Sequence, residues 1–188
     1  QFSHLVMCDR NIKHRNIIYS NWLTWWAGIA VSTKNKKHVF QPDARFNYDQ
    51  LSSMQPVKKL NKVSIILSDK DLSEGHKKRI EFINKIISLP ISEYIDVYGH
   101  GFKPIPDKWD AIAPYKYHLV LENSVQKDYW SEKLADAFLG FSFPIYHGCP
   151  NIYDYFSKDS LSVIDINNID QAVKILQNII EGNIYDNS

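Results

Sequence analysis

The residues best placed to do chemistry lie where apolar runs give way to polar turns. The stretch Tyr117-His118-Leu119-Val120-Leu121-Glu122-Asn123-Ser124, continuing through Asp128-Tyr129-Trp130-Ser131-Glu132-Lys133-Leu134, reads as an apolar strand, a polar turn and a helix from about Tyr129 to Leu139. The first turn of that helix would carry Tyr129, Glu132 and Lys133. A strand feeding the positive end of a helix is a physical recipe for holding a phosphorylated ligand. Arg79 falls on a helix that follows a different strand, so Arg79 and Lys133 can converge on one diphosphate, Arg through its fork and Lys as a compact charge. Taken alone, an Arg or Lys at such a place is more often a solvated helix residue.

Glu132, one turn after Tyr129, could accept hydrogen bonds from ribose hydroxyls, and Tyr129 could pack on a base or sugar. A glutamate in a first helical turn is also what the macrodipole favours unaided. Asn123 and Ser124 read equally as turn and cap residues. Ser68 and the Gly99-His100-Gly101 run stand at two further strand ends, and His76 at a helix start. His147-Gly148-Cys149 offers two metal-ligand types in a short loop, but no third and fourth ligand follow at usable spacing, so no metal site is expected. Asp69-Lys70-Asp71 is explained by a turn, and no Gly-x-Gly-x-x-Gly or Walker-type loop occurs.

The elements that must position these groups follow from periodicity. Val63–Ser68 reads as a buried strand, His76–Ile87 as an amphipathic helix ended by Pro90, and Tyr94–Tyr98 as a strand stopping at Gly99. One or two helical turns are expected within Lys108–Ala113, a strand at Phe143–Tyr146, a helical turn at Asn151–Phe156, a strand at Leu161–Ile164 and an amphipathic helix at Ile169–Ile180. Alternation of this kind predicts an α/β fold, a Rossmann-like parallel sheet with helices on both faces and a crevice at the carboxyl ends of its strands. Upstream, His4–Asp9 suggests one short strand ending at Asp9, and the remainder to residue 60 reads as the tail of another domain plus a linker. The expected division is therefore 1–60 and 61–188.

Twenty-two basic against 21 acidic residues leave a net charge of +1, which argues against nucleic acid as a partner. No apolar run reaches the length of a transmembrane span, and Phe2–Cys8 lacks the pattern of a secretory signal, so the start at Gln1 is read as a cut. Two distant cysteines, Cys8 and Cys149, form no disulfide framework, which makes a reducing cytoplasmic compartment the expectation, with peripheral attachment to a membrane left open.

The run Tyr117 to Phe156, with Glu122-Asn123-Ser124, Asp128-Tyr129, Glu132-Lys133, Phe143-Pro144-Ile145-Tyr146 and Gly148-Cys149-Pro150-Asn151-Ile152, resembles the donor-binding motif of glycosyltransferase family 10, the α-1,3/1,4-fucosyltransferases. Val63–Ser68 with Gly75-His76, Arg79 and Phe82, and Tyr94–Gly101, are similar to the preceding units of the same domain, so the resemblance covers about residues 62–180. It implies the C-terminal half of a two-domain GT-B enzyme that transfers fucose from GDP-fucose to a glycan hydroxyl with inversion, without a tightly bound metal or other cofactor. By the same resemblance Arg79 and Lys133 would bind the diphosphate and act in catalysis, Glu132 would hold the ribose, and Tyr129 and Asn123 the rest of the donor. The general base, a carboxylate, is expected outside this chain. Two departures stand out: Trp130-Ser131 where the family commonly has Val-Thr, and Asp69 where it commonly has Asn. Two other readings stay open, a transferase for a different nucleotide sugar and a non-catalytic carbohydrate- or protein-binding module using Trp22, Trp25, Trp26 and Trp109 as stacking platforms.

Overall fold

In the computed structural model, residues 4–19, 27, 31–34, 37–40, 45–69 and 73–187 are described. Upstream, β1 (Leu5–Met7) and β2 (Ile17–Tyr19) pair in parallel, while β3 (Val31–Lys34) and β4 (Lys37–Phe40) form an antiparallel pair. The sequence reading missed these short strands beyond β1, because runs this brief carry no usable period. It also missed α1 (Tyr48–Ser53), whose start is set by a capping box in which Asn47 and Gln50 exchange side-chain and backbone hydrogen bonds.

From residue 60 onward strands and helices alternate as expected. They are β5 (Leu60–Ile66), α2 (Glu74–Ile86), β6 (Ile95–Tyr98), the short α3 (Trp109–Ile112), β7 (Tyr115–Leu121), α4 (Glu132–Leu139), β8 (Phe143–His147), β9 (Ser162–Val163) and α5 (Ile169–Glu181). The five strands form one parallel sheet in the order β6-β5-β7-β8-β9. Alternation along β7 divides the two faces. Tyr117, Leu119 and Leu121 pack with Phe82, Ile83 and Ile86 of α2 and with Ala172, Leu176 and Ile180 of α5. Val120 packs on the opposite face with Leu134 and Ala137 of α4. Helices therefore cover both faces of a Rossmann-like sheet. Among the described residues no helix is long and apolar enough to cross a membrane.

The base of the sheet is closed by Lys59, whose ammonium donates to the carbonyls of Ala113, Tyr115 and Gly140. Two of those carbonyls belong to the C-caps of α3 and α4, where a cation meets the negative ends of both helices. α3 is also where the upstream segment rests. Phe46 packs on Trp109 with ring centroids 4.6 Å apart, Ala27 lies in the same cluster, and Arg45 pairs with Asp110 at 2.6 Å. Trp109 is thereby buried, which rules it out as a stacking platform, while Trp22, Trp25 and Trp26 lie outside the described residues.

Candidate donor-binding site

A cavity of about 350 Å³ opens above the carboxyl ends of β5, β6 and β7 and runs down between the sheet and α3 and α4. Ser68, His76, Arg79, Gly99, His100, Asn123, Glu132 and Lys133 all line it, so most of the expected site residues converge on one space. Ser124 instead borders a neighbouring cavity beyond Asn123, and Tyr129 lines neither. Tyr129 sits half-buried close to Glu122 and Lys133, and burial first, then the Glu122 charge, raises its phenol above the usual range.

The backbone supports this arrangement at its glycines. A Cβ on Gly75 would stand 1.9 Å from the Asn123 carbonyl oxygen, so only glycine lets the start of α2 touch the end of β7. Gly99 has φ +114 and its missing side chain would strike the Leu67 carbonyl. The close approach expected of the Gly99-His100-Gly101 run is thus made to the end of β5. There His100 Nδ1 lies 2.8 Å from Asp69 Oδ1, so the aspartate that departs from the family pattern has its own partner.

Arg79 is the most unusual group in the cavity. Its position on α2 falls on the same stripe as Phe82, Ile83 and Ile86, and it is only 5% exposed. Nε donates to the Gly75 carbonyl and Nη1 to the Leu121 carbonyl, each at 3.3 Å. Among the described residues no carboxylate lies within ion-pair distance of the guanidinium, and burial pulls its pKa below the ordinary value while the more distant Glu122 opposes that shift. A buried cation held by two carbonyls is costly unless an anion joins it.

Lys133 is organised by a carboxylate the sequence reading did not single out. Glu122, at the end of β7, has a fully buried side chain. It accepts from the Ser131 N–H at 2.8 Å, from Ser131 Oγ at 2.7 and 2.9 Å, and from Lys133 Nζ at 3.2 Å. Ser131 is the N-cap of α4, its Oγ accepting from the Lys133 N–H. The helix therefore begins three residues later than expected. Tyr129 precedes it, shares no helical face with Glu132, and follows a left-handed Asp128 with φ +63. The capping role considered for Asn123 and Ser124 belongs to Ser131, since a polar loop separates them from the helix.

This also accounts for the Trp130-Ser131 departure. Serine and threonine both serve as N-caps, and Trp130 packs edge-on against Tyr155 and Phe156. Ser131→Ala is expected to lower stability by about 2 kcal/mol in chemical denaturation, combining a lost cap with lost bonds to a buried carboxylate. Ser131→Thr should stay near wild type.

Three further residues lining the cavity were not foreseen. Lys108 pairs with Asp136 at 2.8 Å and reaches Glu132 at 4.0 Å. Asp136, 1% exposed, also accepts from the Ala27 backbone N–H, so the same carboxylate touches the upstream segment. His118, 4% exposed, points to the α3 and α4 face, where Ser64 Oγ lies 2.8 Å from its Nδ1. For Asp136 and His118 the signal available was a polar or ionisable residue on a buried helix or strand face. It is readable only once the faces are known.

Chemically the cavity offers a buried guanidinium, an ammonium, the N-terminus of α4 and the half-buried Glu132 carboxylate. Cations fixed before the ligand arrives suit a phosphate-bearing molecule, and a carboxylate beside them suits a hydroxyl donor.

Comparison with known proteins supplies the family. The chain is 34% identical over 111 residues to the human 4-galactosyl-N-acetylglucosaminide 3-alpha-L-fucosyltransferase 9, an alignment covering 56% of this chain and 30% of that protein. It is 31% identical over 74 residues to the alpha-(1,3)-fucosyltransferase FucT of Helicobacter pylori, covering 39% of this chain and 16% of the relative. The chain thus spans less than a third of either protein's length. A crystal structure of an alpha1,3-fucosyltransferase with GDP-fucose superposes with a TM-score of 0.56 at 24% identity, covering 72% of this chain and 40% of that one, which bears out the fold. The family model described as glycosyltransferase family 10 (fucosyltransferase), C-term, matches residues 56–183. That match spans most of the chain and falls on the strands and helices that build the cavity, and the chain belongs to glycosyltransferase family 10.

Proposed function

We propose that this chain supplies the donor site of an inverting fucosyltransferase that moves fucose from GDP-fucose to a glycan hydroxyl. In this reading residues 61–188 form the donor-binding domain, the C-terminal half of a GT-B enzyme, and 1–60 close an acceptor domain. The observation that carries it is Arg79, a buried guanidinium with only carbonyl partners, facing a cavity that also receives Lys133 and the N-terminus of α4. The diphosphate takes the place of the missing anion. Glu132 holds the ribose, and Asn123, Ser68, His76, Gly99 and His100 border the rest of the donor, with Tyr129 and Ser124 on the loop beside it.

During transfer the bond between fucose C1 and the diphosphate oxygen breaks while the acceptor oxygen bonds to C1 from the opposite face. The acceptor proton passes to a carboxylate base in the acceptor domain. Negative charge grows on the departing GDP, so Arg79 and Lys133 stabilise the transition state more than the bound donor. Lys133 already spends part of its charge on Glu122, so its share is smaller than that of Arg79. Lys133→Ala is expected to weaken GDP-fucose binding by about 10- to 100-fold, the loss of one charge-assisted contact of ~1.5–3 kcal/mol. Calorimetric titration of the variant checks this. An unchanged affinity would take Lys133 out of the site and favour a binding module over a transferase.

A further inference from the structure

His118 occupies a place where the fold calls for an apolar side chain. Its neighbour on the same face of β7, Val120, packs with Leu134 and Ala137 of α4, yet His118 is 4% exposed and polar. The residue paired with it across the sheet, Ser64, is also polar and fully buried. Their mutual hydrogen bond satisfies Nδ1 and fixes the ring. Nε2 has no partner among the described residues and is not enclosed by them, and His118 lines the wall of the cavity. Burial, aided by the Lys108 charge, drives the imidazole pKa down to about 3, so the ring is neutral and carries one donor and one acceptor nitrogen.

Its place along the strand matters as much as its burial. Arg79 holds the Leu121 carbonyl at the carboxyl end of β7, and His118 lies three residues back, about 10 Å of strand. Between them, on the face that His118 shares, the cavity is bordered by the apolar residues Ile66, Ile112 and Val120, which suit a heterocycle, and Lys108 and Asp136 line the same cavity.

We propose that His118 is a nucleoside-reading residue, presenting Nε2 to the nucleoside of the donor whose diphosphate is held by Arg79 and Lys133. The inference rests on the donor-binding reading above and extends it to the inner end of the cavity.

The test compares GDP, GDP-fucose and inorganic pyrophosphate by titration into wild type, His118→Phe and His118→Asn, with thermal unfolding followed alongside. Expected is a loss of about tenfold for GDP in His118→Phe, an equal loss for GDP-fucose, no change for pyrophosphate, and partial recovery in His118→Asn, which keeps a hydrogen-bonding side chain. Should the phenylalanine not fold, His118→Leu takes its place. Unchanged GDP affinity overturns the proposal. So does a loss confined to GDP-fucose, which would place His118 at the sugar, or an equal loss for pyrophosphate, which would make its effect one on the cavity as a whole. A wild type that binds pyrophosphate but gains nothing from the nucleoside of GDP overturns this inference alone. One that binds neither removes the donor-binding reading with it.

Discussion

Arg79→Met is expected to weaken GDP-fucose binding by two to three orders of magnitude, about 3–4 kcal/mol, while leaving the unliganded fold as stable as before or more so. The two halves of this expectation come from the same geometry. In the free protein the guanidinium is buried, its bonds go to carbonyls, and desolvation works against its charge. Methionine fills a similar volume on the stripe shared with Phe82 and Ile83 and removes that cost. Once a diphosphate is present the same charge becomes its main counter-ion in a partly enclosed space, where substitution costs most. Denaturation curves and donor titrations on one preparation should therefore move independently or in opposite directions. A structural arginine would show the reverse, with stability falling and affinity following it. Arg79→Lys is expected to fall between, keeping charge without the fork.

Glu122→Ala should act in the opposite sense, lowering stability by about 3–5 kcal/mol, the usual cost of removing one member of a buried ion pair. It leaves the Ser131 N–H and hydroxyl and the Lys133 ammonium without the carboxylate that gathers them. The space it leaves is real, since Gly148 approaches so closely that a Cβ there would lie 2.6 Å from Glu122 Cγ. Chemical denaturation measures the loss. Glu122→Gln should recover part of it, because the amide oxygen can still accept from Ser131. A change below about 1 kcal/mol in Glu122→Ala would mean that the loop and the start of α4 are held by other contacts.

These two residues also mark how far the sequence could be read. The alternation of apolar strands and amphipathic helices from Val63 onward was legible because the long helices α2 and α5 repeat their period several times and the strands between them are apolar runs. The strand ends, and hence the crevice, followed from that. Arg79 was legible as a cation on the right helix, but it was read on the polar side with Lys77, Lys78 and Glu81, whereas it falls on the buried stripe of Phe82, Ile83 and Ile86. Glu122 was quoted only as part of a motif, since a carboxylate at a strand end looks like any turn residue until the chain folds back to bring Ser131 and Lys133 to it.

The start of α4 was misplaced for a related reason. Nothing in Asp128-Tyr129 announces a left-handed turn, because positive φ at a non-glycine residue is set by the bonds around it, here from Asn151 and Tyr155 to the Asp128 carboxylate. Lys108, Asp136 and His118 depend on contacts between separate elements and with the upstream chain, such as the bond from Ala27 to Asp136. Periodicity cannot see contacts of that kind.

Donor binding by this chain is tested most directly by a calorimetric comparison of nucleotide sugars on the unaltered protein. GDP-fucose, GDP-mannose and a UDP-sugar are titrated under the same conditions. GDP-fucose is expected to bind tightest, at one site per chain. Tightest binding by the UDP-sugar, or no binding by any of the three, would contradict this.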